Sequence, residues 1–271
     1  MKKVLITGGP TNEYVDEVMK ITNMSTGSLS LDLANAAVES GCQVTLIVTN
    51  SVTASARYEK YGFRDNPNVA TLPIETTDDM YKALESQKGT NFDTVIHASA
   101  VGDYKPEFTF RMEDLAHEIA EKIIGSYAHR RSMFNPRVHY SVEDYEKDIL
   151  ELMESGSYKV NNSTKISSYE PNLTVKLTLT TKLISNLRTW FPDAKLIGCK
   201  LLENVSHEHL IEVATKLCNK NDMDIIMAND LKELRDGELV RYLVNKDGDM
   251  GIALLQNGNP SLLEYAKKEW F

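Results

Sequence analysis

Three stretches combine residue types and spacings that can do chemistry. The first is Ile21-Thr22-Asn23-Met24-Ser25-Thr26-Gly27, a run of small polar residues just ahead of an apolar periodicity. A carboxamide such as Asn23 donates and accepts hydrogen bonds at once. A loop that opens a helix also presents free backbone N–H groups, so an anion or a polar substrate would be held there. The plainer alternative is that Gly8, Gly9 and Gly27 only make turns. The second stretch is Thr94-Val95-Ile96-His97-Ala98-Ser99-Ala100-Val101, which carries a histidine inside an apolar strand pattern. His97 is either an acid–base group or a satisfied core histidine. The third is the basic run from His129-Arg130-Arg131 to His139, either a lid or a surface feature.

Familiar signatures are absent. The chain has no GxxxxGK[ST] and no GxGxxG after its first strand, and Gly8-Gly9-Pro10-Thr11-Asn12 does not fit either pattern. It has no GxSxG elbow and no histidine pair with metal-ligand spacing. Tyr242 and Lys246 stand at the YxxxK spacing of short-chain reductases, but in a strand pattern instead of a helical one.

The elements that must position these groups follow from periodicity. Lys2–Thr7 is a β-branched run, and Leu29, Leu31, Leu33, Ala34, Ala37 and Val38 recur at helical spacing up to Gly41. Cys42–Thr49 is the next strand, so the start reads strand, loop, helix, strand: the first unit of a parallel sheet. Val69–Ile74 and Phe92–Ala100 predict further strands, and Thr77–Ser86 predicts a capped helix. Residues 102–106 read as a loop. Residues 107–164 interrupt the pattern with two helices, around Leu115–Ile123 and Val142–Leu152. Then come a strand over Asn172–Thr180, a helix over Lys182–Trp190, a strand over Ala194–Leu202 and an amphipathic helix over Val205–Lys220. Met223–Ala228 is a strand, Leu239–Val244 and Met250–Leu255 form a hairpin, and Ser261–Glu269 is a last helix. The expectation is one α/β domain over 1–271. It is a Rossmann-like three-layer sandwich, parallel in its centre with an antiparallel extension, and a mostly helical insertion lies at about 107–164.

Composition narrows the class. The 271 residues are 42% hydrophobic and 25% charged, ordinary for a globular chain with a sizeable core. A formal net charge of −9 argues against generic nucleic-acid binding, while leaving room for a local basic pocket. Cys42, Cys199 and Cys218 are far apart and odd in number, which points to a reduced, cytoplasmic compartment. No apolar run approaches the roughly 20 residues of a membrane span, and the N-terminus reads as a strand instead of a signal peptide.

Several of these segments, taken in order, carry a resemblance. They are Ile6-Thr7-Gly8-Gly9-Pro10-Thr11-Asn12-Glu13 with Asp16, the Ile21–Gly27 loop and Ala98-Ser99-Ala100-Val101-Gly102-Asp103-Tyr104. Further on stand Lys165-Ile166-Ser167-Ser168, Leu196-Ile197-Gly198 and Asp224-Ile225-Ile226-Met227-Ala228-Asn229-Asp230. The ordered set resembles phosphopantothenate–cysteine ligase, most of all the free-standing form of streptococci and their relatives. It covers about 210 residues, all but the interruption.

The resemblance implies a reaction and a site. Members activate the carboxylate of 4′-phosphopantothenate with a nucleoside triphosphate, CTP more than ATP, and then join it to L-cysteine as an amide. Asn23 would match the loop asparagine of the amide-forming step, and Lys165 the mobile-loop lysine that meets the α-phosphate. Ser99, Ala100, Asp103 and Cys199 would match nucleotide-contacting positions, and Lys216 with Lys220 a pair of triphosphate-binding lysines. Gly27 and Ala100 would border the substrate. Asp103 would also orient Mg²⁺. A homodimer is implied, with no nucleic acid and no membrane as partner. Asn23 and Lys165 would then converge on one cleft above the sheet's carboxyl rim.

The chain also departs from the family. Met19 and Met24 stand where arginine and histidine are frequent, and Thr180-Thr181-Lys182 replaces an asparagine–proline–aspartate stretch. Cys199 replaces an aromatic that packs on the base, a contact worth about 1–3 kcal/mol where it occurs. These departures keep open a nucleotide-binding, regulatory or inactive relative, and behind it an NAD(P)-dependent reductase.

Overall fold

The computed structural model describes residues 1–133, 141–235, 240–255 and 258–271; His139 of the basic run lies outside the described residues. In chain order the strands and helices begin with β1 (Lys3–Gly8), β2 (Asn12–Tyr14), β3 (Lys20–Thr22), α1 (Ser28–Glu39) and β4 (Gln43–Thr49). Next come α2 (Asn50–Thr53), α3 (Ala56–Lys60), β5 (Val69–Ile74), α4 (Thr77–Ser86), β6 (Thr94–His97) and β7 (Tyr104–Arg111). Then follow α5 (Met112–Met133), α6 (Val142–Ser155), β8 (Lys159–Val160), β9 (Leu173–Leu179) and α7 (Leu187–Trp190). The chain ends with β10 (Lys195–Leu202), α8 (His207–Lys220), β11 (Ile225–Asp230), α9 (Leu231–Arg235), β12 (Val240–Asn245), β13 (Gly248–Leu255) and α10 (Leu262–Glu269).

Two compact units emerge. The first comprises Met1–Asn12, Thr22–Asp103 and Thr180–Phe271; the second comprises Glu13–Ile21 and Tyr104–Leu179. The second unit is therefore wider than the interruption read from the sequence.

The first unit is built on an eight-stranded sheet of order β13-β12-β11-β10-β6-β1-β4-β5. The strands from β11 to β5 are parallel, and β12 and β13 extend the sheet antiparallel. Alternating residues feed two cores. Val4, Ile6, Leu46, Ile197, Met227 and Leu243 face α1 and α10, while Leu5, Ile47, Val95, Leu196 and Ile226 face α4, α7 and α8. Helices on both faces make three layers, as the parallel strand runs require. No helix among the described residues is long and apolar enough to cross a membrane.

The second unit has its own three-stranded antiparallel sheet, order β8-β7-β9. Its core is Phe108, Phe110, Leu115 and Tyr158, with Ile119 and Met153 against it. The rings of Phe110 and Tyr158 meet edge-on at 5.1 Å. Both helices expected in the interruption form here. The sequence reading places a loop at residues 102–106 and no strand at β7; in the structure Pro106 sits at a register shift in the β7–β9 ladder, where a missing N–H does little harm. The predicted helix over Lys182–Trp190 also divides, into a 3₁₀ turn over Leu183–Asn186 followed by α7.

The start of α1 is held close to β1 by small residues. Gly27 is the helix N-cap, with φ of 70°. A Cβ there would lie 2.7 Å from Val52 Cγ2 and 3.3 Å from Gly9 Cα. Gly62 has a similar φ of 65° but open space around it. Gly27→Ala therefore suffers both left-handed backbone strain and overpacking, and should lose about 2–4 kcal/mol by chemical denaturation. Gly62→Ala should lose only the strain component, about 1–2 kcal/mol. Equal losses for the two variants would refute the close-packing account.

Candidate functional site

The strand order reverses its winding between β1 and β6. From β1 the chain winds outward through β4 and β5, then returns to place β6 on the other side of β1. Loops leaving the carboxyl ends of two such strands diverge and open a crevice. Backbone polar groups bared there still need partners, and the structure supplies them across the gap. Ala100 N donates to Gly9 O at 2.9 Å, and Thr11 N donates to Ala100 O at 3.3 Å. This bridge takes residues 98–100 out of the expected long strand, so β6 ends at His97. Gly102 N donates to Thr11 Oγ1 at 2.9 Å, and Thr77 Oγ1 reaches the same oxygen at 3.0 Å.

Asn23 lies across this gap. Its Nδ2 donates to Ala100 O at 3.0 Å and to Val101 O at 3.1 Å. The side chain thus ties the loop ahead of α1 to the loop after β6. Among the described residues no donor is found on its Oδ1, which leaves a carboxamide acceptor for a ligand. Beside it Thr22 Oγ1 donates to Thr11 O at 2.9 Å. Ser99, one residue before Ala100, keeps a buried hydroxyl with no hydrogen-bond partner among the described residues. Asn23, Gly27, Ser99, Ala100 and Asp103 are in this way brought together at the rim of the first unit.

Asp103 is not a free carboxylate. It forms an ion pair with Lys182, and Thr180 N donates to Asp103 O at 3.0 Å. Among the described residues no group of three or more histidine, cysteine or acidic side chains could hold a metal ion. The described residues therefore form no dedicated cage for Mg²⁺, and a lone carboxylate such as Asp103 would share such an ion with phosphates and water.

Cys199 sits in β10 one residue past Gly198, which pairs with His97. Burial pushes its thiol up to about 11, so it is neutral at ordinary pH. Lys216 and Lys220 are not brought to the rim. α8 crosses back between the parallel strands β10 and β11, so its N-cap Ser206 lies near the carboxyl rim and its last turn at the opposite edge. Lys216 there pairs with Glu212 at 2.5 Å. The YxxxK pair also separates: the Tyr242 hydroxyl donates to Glu233 at 3.1 Å, and Lys246 pairs with Asp222.

Lys165 belongs to the second unit, where it is exposed in the loop after β8. The residue after it is anchored: Ile166 N donates to Asp16 Oδ2 at 2.8 Å. Val18 N and Met19 N donate to Asp16 Oδ1 at 2.7 and 2.6 Å. These three bonds, the one from Ile166 first, hold the Asp16 carboxyl below the usual carboxylate range, and the Lys165 charge adds to them. Asn162 Nδ2 donates to Val15 O at 2.9 Å beside them. An open groove lined by Tyr14, Val15, Asp16, Glu17 and Asn162 borders this loop. The anchor was invisible in sequence, since 150 residues separate Asp16 from Ile166.

His97 takes the plainer of its two readings. It is 7% exposed and shares a 2.8 Å hydrogen bond through Nδ1 with Thr7 Oγ1. Burial lowers it to about 4.

The family model for the DNA/pantothenate metabolism flavoprotein C-terminal domain matches residues 1–114. A curated relative, the coenzyme A biosynthesis bifunctional protein CoaBC of Thermococcus kodakarensis, is 29% identical over 91% of this chain and 45% of its own length. The chain thus spans about half the length of that relative. A solved structure of the DNA/pantothenate metabolism flavoprotein from Streptococcus pneumoniae superposes with a TM-score of 0.71 at 26% identity, covering 99% of this chain and 96% of that one. A Cab2 variant in complex with phosphopantothenate-cysteine shares the fold, with a TM-score of 0.58 at 14% identity over 99% of this chain and 87% of its own. The resemblance to phosphopantothenate–cysteine ligases is borne out by domain, by relatives and by fold.

Two outcomes follow from the site. The His97 pKa of about 4 lies below its unfolded value near 6.5. The unfolded chain therefore binds the extra proton between these values, so stability falls as pH drops through that window. Denaturation at pH 5 against pH 7 should give a loss of about 2 kcal/mol from this group, and His97→Asn should remove that component. An unchanged pH slope in the variant would refute the assignment. Asp16→Asn should raise the amide exchange rate of Ile166 about tenfold or more, by loss of a charge-assisted hydrogen bond. Unchanged exchange at Ile166 would show that the carboxylate is not its anchor.

Proposed function

We propose that this chain is a ligase of coenzyme A biosynthesis, joining 4′-phosphopantothenate to L-cysteine through an acyl-nucleotidyl intermediate. The observation that carries this reading is the Asn23 carboxamide spanning the switch point onto the Ala100 and Val101 carbonyls, with its Oδ1 left for a ligand.

A carboxylate is a poor acyl donor until one oxygen becomes a good leaving group. In the first step a carboxylate oxygen of phosphopantothenate attacks the α-phosphorus. The new P–O bond forms, the α–β bridging P–O bond breaks and pyrophosphate leaves. Lys165 is assigned to the α-phosphate, where an ammonium stabilises the charge that develops. In the second step the amine of cysteine attacks the acyl carbon. The C–N bond forms, the C–O bond breaks, and the nucleoside monophosphate leaves as the nitrogen loses a proton. Asn23 is assigned to hold the substrate, its Oδ1 accepting from the amide N–H of phosphopantothenate or from the cysteine amine, and Ser99, Ala100 and Cys199 to border the nucleotide. Water must be kept from the mixed anhydride until the amine arrives. CTP is the preferred triphosphate in this reading, ahead of ATP. Mg²⁺ would enter on the triphosphate oxygens and not on a protein cage. The working state is a homodimer in the cytoplasm.

A second reading is a nucleotide-binding relative that does not ligate. The pairing of Asp103 with Lys182 favours it, since it occupies a carboxylate assigned to the nucleotide.

The test is pyrophosphate release from CTP, ATP, UTP and GTP, each with phosphopantothenate and cysteine. Release should require phosphopantothenate and be highest with CTP. Asn23→Ala and Lys165→Gln should each lower turnover about 10²-fold or more, the cost of removing one contact made to the reacting groups. Full turnover in both variants would remove the assigned roles. Tight nucleotide binding without turnover would select the second reading.

A further inference from the structure

Among the described residues, the buried side-chain atoms without a hydrogen-bond partner include a single cationic one, Arg241 Nη1. Arg241 is only 7% exposed. It stands in β12 one residue before Tyr242, which pairs with Ala228 of β11, and so lies level with the carboxyl end of β11. Alternation along β12 puts it on the same face as Leu243, the face covered by α1 and α10. Its guanidinium is near enough to Cys199 of β10 and Asp32 of α1 to interact with both electrostatically. Neither completes it. The Cys199 thiol is neutral at ordinary pH. The Asp32 carboxylate accepts from Arg57 Nη1 at 2.8 and 2.7 Å and from the Tyr61 hydroxyl at 2.7 Å. Burial disfavours the charged guanidinium, and a buried cation is tolerated when paired and hydrogen-bonded.

We propose that Arg241 is an anion-binding residue of the carboxyl rim, with Nη1 donating to a phosphoryl oxygen of the nucleotide. Position supports this. Arg241 shares its face of the sheet with Cys199, the position assigned to the nucleotide, and both stand toward the carboxyl ends of their neighbouring strands. Chemistry supports it as well. A guanidinium presents a planar fork of donors that matches phosphate oxygens and keeps its proton when buried. In a chain of net charge −9, a phosphate needs such a local counter-charge. The nucleotide as source of the phosphoryl group rests on the function proposed above; the anion site itself does not.

Titration calorimetry on the full chain tests it without ligation. Wild type and Arg241→Met are compared with inorganic pyrophosphate, CTP, ATP and cytidine as probes. Pyrophosphate and triphosphate affinity should fall about tenfold or more in the variant, the loss of a charge-assisted hydrogen bond, with cytidine binding unchanged. Equal affinities for pyrophosphate in the two proteins overturn the proposal, as does a matching loss for cytidine, which would make Arg241 a base contact. Should Arg241→Met fail to fold, side-chain arginine NMR on wild type decides. The Arg241 signal must shift on adding pyrophosphate, and silence overturns the proposal. A wild type that binds pyrophosphate through Arg241 yet never ligates removes the ligase reading and leaves this site standing. Normal ligation with unchanged nucleotide affinity in Arg241→Met does the reverse.

Discussion

The close approach of two loops at the β1–β6 switch point is the constraint on which the rest of the first unit depends. A parallel sheet that changes winding direction leaves bare carbonyl and N–H groups at its carboxyl rim, and burying them unpaired is costly. Here the gap is closed by backbone bonds between Gly9, Thr11 and Ala100 and by the side chain of Asn23. Closure at this distance demands small residues. Gly8 would put a Cβ 1.7 Å from Ser30 Oγ, and Ser30 itself donates to Gly27 O at 2.7 Å. The glycines of the opening motif and the asparagine of the second loop are therefore one device. Their joint effect is a rigid rim in which a carboxamide is fixed by two bonds and still has a face to offer.

Charge explains why the site is built from local groups. The chain as a whole repels anions, so an anionic ligand must be held by short-range donors instead of a broad basic field. In the first unit, the start of α1 and the buried guanidinium of Arg241 offer donors of that kind. Asp16 shows how the second unit manages the same problem. Three backbone N–H groups stabilise its carboxylate, so the acid organises the Lys165 loop through the main chain and does not depend on capturing the lysine's charge.

What was legible in the sequence was local. Periodicities of two and 3.6 located the central strands and α1, α4, α8 and α10, since each buries a face whose spacing survives in one dimension. The Asn23 loop was legible for the same reason: small polar residues between two patterned runs. What was missed depended on partners far along the chain. β7 exists because β9 supplies its ladder, and Pro106 escapes its usual prohibition through a register shift. Arg241 gave no signal, because alternation in β12 allots it an apolar position. The lysines of α8 matched by spacing, yet spacing carries no direction, and the return path between the parallel strands β10 and β11 turns that end of the helix away from the rim.

The departures from the family that the sequence resembles are easier to interpret as substitutions of charge than as losses. A carboxylate beside a triphosphate is unfavourable until something neutralises it. Where the resemblance implies an aspartate, this chain carries Lys182, and that lysine is paired with Asp103. Exchanging a carboxylate for an ammonium changes the local charge by two, so the pair is close to neutral without help from an ion. The same logic applies one strand over. A smaller, neutral side chain at Cys199 forgoes an aromatic surface, and the charge that bears on its thiol is the guanidinium of Arg241. Stacking on a ring is tolerant of the base and indifferent to phosphate, whereas a buried guanidinium is selective for anions. In the proposed reading, binding energy at this rim moves from the base toward the phosphates, and discrimination among nucleotides falls to the backbone edges of the Ser99–Ala100 loop.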